Sequence, residues 1–212
     1  MRTSLFLTVV ALTGFTAATP LRRLPMPATG GFVTPRVPTA QGDVASACNK
    51  ATLKLPASGL AAPSGNPVLV ALGVGFQNYT CADASSAPTS IGAVAQLFDD
   101  TCNVAAHPAI ATSDLPAFAR IGSHFFRDTT TPDFDVASLG NTILKKAQEV
   151  DAPNPASDVK WLRLTAQAGS TSTVKEIYRV QTVGGIAPAT CAGKAAGEVI
   201  TVPYKAQYWF YE

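Results

Sequence analysis

Hydrophobic and polar residues alternate most regularly near the C-terminal end of the chain. Ile200, Val202, Tyr204, Ala206, Tyr208 and Phe210 share one parity, and Val199, Thr201, Lys205, Gln207 and Trp209 the other. A period of two sends successive side chains to opposite faces of an extended backbone, so this run predicts a half-buried β-strand. Pro203 has no N–H for a ladder bond, which puts the strand on an edge there or in a bulge. Val159 to Ala166 and Val174 to Val183 are two more β-rich runs. The turn-forming stretch Gln167-Ala168-Gly169-Ser170-Thr171-Ser172-Thr173 joins them and predicts a hairpin. Residues 67–81 are also extended, and Gly73 and Gly75 within them predict a bulge or a break between two strands. Residues 91–99 and 142–150 fit a short helix or a strand. With 16 glycines and 16 prolines spread along 212 residues, turns recur every ten or so positions. The fold class expected is all-β, a single-domain sandwich or barrel with long loops.

The N-terminal pattern is different. A positive start at Met1 and Arg2 precedes an apolar run from Leu5 to Phe15, then the small residues Thr16-Ala17-Ala18. This is the layout of a signal peptide over residues 1–18, and it is too short to span a bilayer. Residues 19–47 carry Pro20, Pro25, Pro27, Pro35 and Pro38 with no apolar period, as a leader or linker does. Arg22-Arg23 is a candidate processing site. The β domain is then expected over residues 48–212, in a protein that is secreted, extracellular or in the cell wall, without a transmembrane anchor.

Charge narrows the partners. Sixteen basic and 14 acidic residues give a formal net charge of +2, and only 14% of the chain is charged. No basic footprint for nucleic acid or an anionic membrane emerges. Cys48, Cys81, Cys102 and Cys191 form no CxxC pair. In a secreted chain an even count predicts two disulfides, with three connectivities open, and no metal site.

The candidate chemistry is sparse. Val70-Ala71-Leu72-Gly73-Val74-Gly75-Phe76 superficially matches a dinucleotide-binding turn. Asn78 stands where the third glycine belongs and strand-forming residues follow, so no nicotinamide cofactor is expected. Asn78-Tyr79-Thr80 is an N-glycosylation sequon; on a strand, Asn78 would face solvent while Tyr79 and Cys81 turn inward. His124, within Gly122-Ser123-His124-Phe125-Phe126-Arg127-Asp128, is the candidate general base, with Asp128, Asp133 or Asp135 to orient it. The competing reading is a histidine held by a structural hydrogen bond. Asp133-Phe134-Asp135 has too few oxygens for calcium. Glycoside hydrolysis would draw a facing pair of carboxylates from Asp128, Asp133, Asp135, Glu176 and Glu198. Trp161, Tyr178, Trp209 and Tyr211 are candidate stacking platforms for sugar rings. Arg179 is a further candidate ligand-binding residue, lying among Lys175, Ile177 and Gln181 on a strand face more polar than its opposite; the competing reading is a solvated sheet face.

Several blocks taken together resemble a family of secreted proteins of unknown function, abundant in filamentous fungi and with shorter bacterial relatives. They are Gly73 to Cys81, Trp161-Leu162, Tyr178 to Gly185 with Cys191, and Val202 to Tyr211. Fungal members are often labelled malate dehydrogenase-like, a label at odds with the missing nicotinamide turn. The resemblance implies a Cys81–Cys191 bridge, and with it Cys48–Cys102, but no catalytic residues or cofactor. Ser123 stands where the family usually carries a second histidine beside His124, which weakens proposals that need adjacent imidazoles. The reading that results is non-catalytic binding of a glycan or another extracellular ligand. Its rivals are a hydrolase built on His124 and a nearby carboxylate, and a fungal effector or surface-structural protein.

Overall fold

The computed structural model describes residues 48–117 and 119–212. The expected signal peptide and leader lie outside them. Eight antiparallel strands, each paired with its neighbours in sequence, close into a barrel: β1 (Pro67–Thr80), β2 (Thr89–Asp99), β3 (Arg120–Phe126), β4 (Pro132–Val136), β5 (Gly140–Val150), β6 (Trp161–Ala166), β7 (Glu176–Gly184) and β8 (Val199–Tyr211). Pairing of β1 with β8 completes the ring, so every strand has two neighbours and the sheet has no free edge to protect. The fold is the barrel alternative of the all-β class, with long loops and two disulfides, Cys48–Cys102 and Cys81–Cys191.

The ambiguous segments are both strands, β2 and β5, and the predicted hairpin is β6–β7. Residues 67–81 correct an expectation, because β1 runs unbroken for 14 residues through both glycines. Here the glycines make room. A Cβ on Gly73 would lie 2.4 Å from the Tyr208 ring, and one on Gly75 would lie 2.0 Å from the Val94 carbonyl oxygen. Val70 to Phe76 is therefore strand throughout, with no turn to receive a pyrophosphate. Pro203 pairs with Phe76 of β1 on one side. On the other side β7 ends at Gly184, opposite Tyr204, so no ladder bond is missed at the proline.

Alternation along β8 sorts two cores. Tyr204, Ala206, Tyr208 and Phe210 point into the barrel, where they meet Leu69, Ala71, Leu97, Phe134, Val136, Leu144, Leu164 and Ile177. Trp209 and Tyr211 point outward, yet they too are buried. Leu53, Leu55 and Leu60 from the segment before β1 cover them, together with Val104, Ile110 and Leu115 from the β2–β3 connection. That connection carries α1 (Thr101–Ala106), and the Cys48–Cys102 bridge ties the two covering segments together.

Candidate functional site

The barrel interior is filled unevenly. Its apolar core occupies the end where β4 turns into β5 and β6 into β7. The opposite end, carrying the β1–β2, β3–β4, β5–β6 and β7–β8 loops, holds a cavity of about 770 Å³. Phe126, Leu162, Leu164, Ile186 and Tyr208 supply apolar wall, and Gln77, Tyr79, His124 and Arg179 supply polar groups. This volume falls within the usual range for small-molecule sites. Cys81–Cys191 anchors the end of β1 to the β7–β8 loop at this rim.

Arg179 follows Ile177 on the inward parity of β7, directly across from Tyr208 on β8 and Leu162 on β6. It is 7% exposed. Its Nε and Nη2 donate to the Lys160 carbonyl at 3.2 and 2.9 Å, and its Nη1 reaches the Gln77 Oε1 at 3.4 Å. The hydroxyls of Tyr204 and Tyr208 hydrogen-bond to each other at 2.8 Å within the barrel. Burial drives both phenols above their ordinary titration range; at Tyr208 the neighbouring guanidinium opposes that rise without cancelling it. Solvation of Arg179 by the sheet's polar face is thus corrected: the guanidinium is inside. The opposite parity, Tyr178 and Val180, is covered by protein and not by water, so polarity along this strand does not mark the solvent side.

His124 also points inward, 2% exposed, with its ring stacked 4.1 Å from that of Phe134. Its Nδ1 lies 2.9 Å from the Asp133 carbonyl oxygen. A carbonyl only accepts, so this nitrogen carries the ring proton in the neutral form. Burial pulls the imidazole down to about 3, making it neutral across the ordinary pH range.

The three aspartates expected to orient it do not do so. His124 pairs across the β3–β4 ladder with Phe134, which places Asp133 and Asp135 on the opposite, outer face. The Asp133 carboxylate binds Arg127 and Asn141 there. Asp135 is exposed. Asp128 caps the β3–β4 turn, accepting from Thr130 and Thr131, and these bonds hold it down at about 2. No acid–base dyad forms around His124 among the described residues. Nor do the glycosidase candidates face one another. Glu176 is tied to Arg163 on the outer face, and Glu198 to Lys194 in a loop. Glu149 is the one carboxylate among the described residues that line the cavity.

The aromatic platforms require correction as well. Trp161 and Trp209 are 5% and 1% exposed, and Tyr178 and Tyr211 are buried beside them. All four lie on the covered outer face, so they present no ring to a sugar. Asn78 sits half-buried on the outer parity of β1, with Tyr79 and Cys81 buried. Among the described residues no cluster of three or more His, Cys, Asp or Glu could hold a metal ion. No helix among them is long and apolar enough to cross a membrane.

The family model described as "Protein of unknown function (DUF3455)" matches residues 62–212, which include all eight strands and the cavity they enclose. The chain belongs to this family. No curated protein and no solved structure matches it. The DUF3455 match begins just before β1, so most of the covering segment from Cys48 precedes it. The cavity residues that sequence reading passed over in this DUF3455 protein are Gln77, Lys145, Lys146, Glu149, Lys160 and Tyr208. Only Tyr208 carried a signal, through its inward parity in the cleanest alternating run.

Proposed function

We propose that this DUF3455 protein is secreted and binds a small extracellular ligand, without catalysis, inside the open end of its barrel. The observation that carries this reading is the cavity itself: a closed barrel filled at one end and concave, half-apolar and polar-lined at the other. Neutral His124, packed among aromatic rings and bonded to a backbone carbonyl, supports binding over hydrolysis. A general base needs an oriented partner and a titration point near the working pH. Two disulfides support an oxidising, extracellular setting. A glycan partner remains in the proposal only as a ligand of this cavity, because the outer tryptophans are covered.

Thermal-shift titrations against soluble oligosaccharides and small organic molecules test the reading. They should be run on the natural protein and on Leu162→Trp, whose larger side chain fills the mouth. The expected result is at least one ligand that raises the Tm of the natural protein and leaves Leu162→Trp unmoved. Silence across both panels, or a shift that persists in the filled variant, overturns it.

A further inference from the structure

We propose that the ligand is a small organic acid whose carboxylate docks on Arg179 and whose apolar body lies against Phe126, Leu162, Leu164 and Ile186. This inference rests on the reading of the barrel mouth as a ligand site, and it names the chemistry that fits there.

The arginines of the described chain are matched unequally. Arg127 and Arg163 are paired with the carboxylates of Asp133 and Glu176. Arg179, buried more deeply than either, has no carboxylate within ion-pair distance among the described residues: Glu149 acts on it only from farther off, and its hydrogen bonds go to neutral oxygens, those of Lys160, Gln77 and Tyr208. A buried cation held only by neutral acceptors is costly unless a counter-charge joins it. A guanidinium offers five N–H donors, of which the Lys160 and Gln77 oxygens engage three, and the Tyr208 hydroxyl is a further neighbour. A guanidinium's planar donor geometry matches a carboxylate in shape as well as charge, and the neutral oxygens around Arg179 are partners a carboxylate could share or displace.

The rest of the cavity agrees on sign and polarity. Lys145, Lys146 and Lys160 line its rim together with one described carboxylate, Glu149, and Asp151 just outside the lining pairs with Lys160 at 2.7 Å, which with Arg179 leaves four cations against two carboxylates. The Glu149 carboxylate is already engaged by Lys146 at 2.5 Å and Lys160 at 3.8 Å. The excess of positive charge draws anions toward the mouth. Below the rim, Phe126, Leu162, Leu164 and Ile186 form an apolar stretch of wall beside Gln77 and Tyr79, and neutral His124 adds no charge to it. That apolar stretch suits a hydrocarbon or aryl body behind one anionic head.

Calorimetric titration with matched probes decides the matter: octanoate, benzoate and 2-naphthoate, each beside its neutral amide, with inorganic phosphate as a bare anion. The expected result is a carboxylate that binds the natural protein at least about tenfold more tightly than its amide. That preference falls to near parity in Arg179→Gln and is partly kept in Arg179→Lys. Equal binding of acid and amide to the natural protein overturns the inference without recourse to any variant. So does a preference that survives in Arg179→Gln, which would trace it to the rim lysines. Phosphate binding as tightly as the best carboxylate would refute the apolar body. Amides that bind without preference, and are excluded by Leu162→Trp, would leave the cavity reading standing and remove only the anion. If no probe binds, the inference fails; the cavity reading then rests on the broader panels.

Discussion

Leu144 and Lys146 lie two residues apart on β5, on the same inward side of the same strand. Leu144 is fully buried among Phe134, Leu164 and Ile177, whereas Lys146 is exposed at the mouth and paired with Glu149. The boundary between the two halves of the barrel falls between them. At the filled end, apolar side chains from all the strands meet across the axis and supply the hydrophobic burial that stabilises a barrel. At the open end, the same strands carry Gln77, Arg179 and the lysines, which contribute little packing. Closure makes this division workable. Once every strand is hydrogen-bonded on both sides, backbone polar groups are satisfied along the whole barrel, and half of its interior can be given to a ligand.

The contrast breaks first if truncation at the filled end proves mild. Leu144→Ala is expected to lower unfolding stability by about 2–5 kcal/mol, read from urea denaturation; a loss below about 1 kcal/mol would mean that the core does not reside there. Gly73→Ala touches both halves, because the new methyl group would press on the ring of Tyr208, which belongs to the core and lines the cavity. A loss of about 1–3 kcal/mol is expected. Stability equal to the parent's would show that the ring can move aside.

His124, at the boundary, links the comparison to pH. Folded His124 titrates at about 3 against its ordinary 6.5, so the unfolded chain takes up the proton first as pH falls. Stability from the neutral ring is fully present above pH 6.5 and is lost toward pH 3, by about 1.4 kcal/mol per pH unit. Asp100, pushed up by burial from 3.8 to about 6, opposes this between those two values, since its folded carboxyl protonates first. The two slopes largely offset each other in that window. Denaturation of His124→Phe should therefore diverge from that of the natural protein by about 1.4 kcal/mol per pH unit below pH 6.5. Parallel profiles would place the histidine in contact with water. The smallest effect belongs to the mouth. Lys146→Ala removes a pair whose members are 56% and 39% exposed, and it should change stability by less than about 0.5 kcal/mol. A larger loss would make the rim part of the core.

Much of the fold was legible from periodicity. The alternation in β8 identified its inward set, Tyr204 to Phe210, and the Gly-Ser-Thr stretch marked the β6–β7 turn. Gly73 and Gly75 misled, because a glycine that ends a strand and one that admits a neighbouring ring look alike in one dimension. The site was less legible. His124, Asp133 and Asp135 are close in sequence, but strand pleating sends the aspartates to the face opposite the histidine. Trp161, Trp209 and Arg179 read as exposed only if one face of each strand meets water. Leu53, Leu60, Val104 and Leu115 cover that face over β1, β7 and β8, so polarity no longer distinguishes outside from inside.

What the sequence determined by itself was local: an extended backbone, the parity of its side chains, the turns between strands and the cysteines available for two bridges. These follow from steric and hydrogen-bonding preferences that act within a few residues. The tertiary structure alone decided that the sheet closes, which face of each strand is interior, and that Arg179 lies buried with no carboxylate within ion-pair distance among the described residues. Those outcomes depend on contacts between strands and loops distant in sequence, such as Arg179 with Gln77 and Lys160, and no local pattern encodes such a meeting.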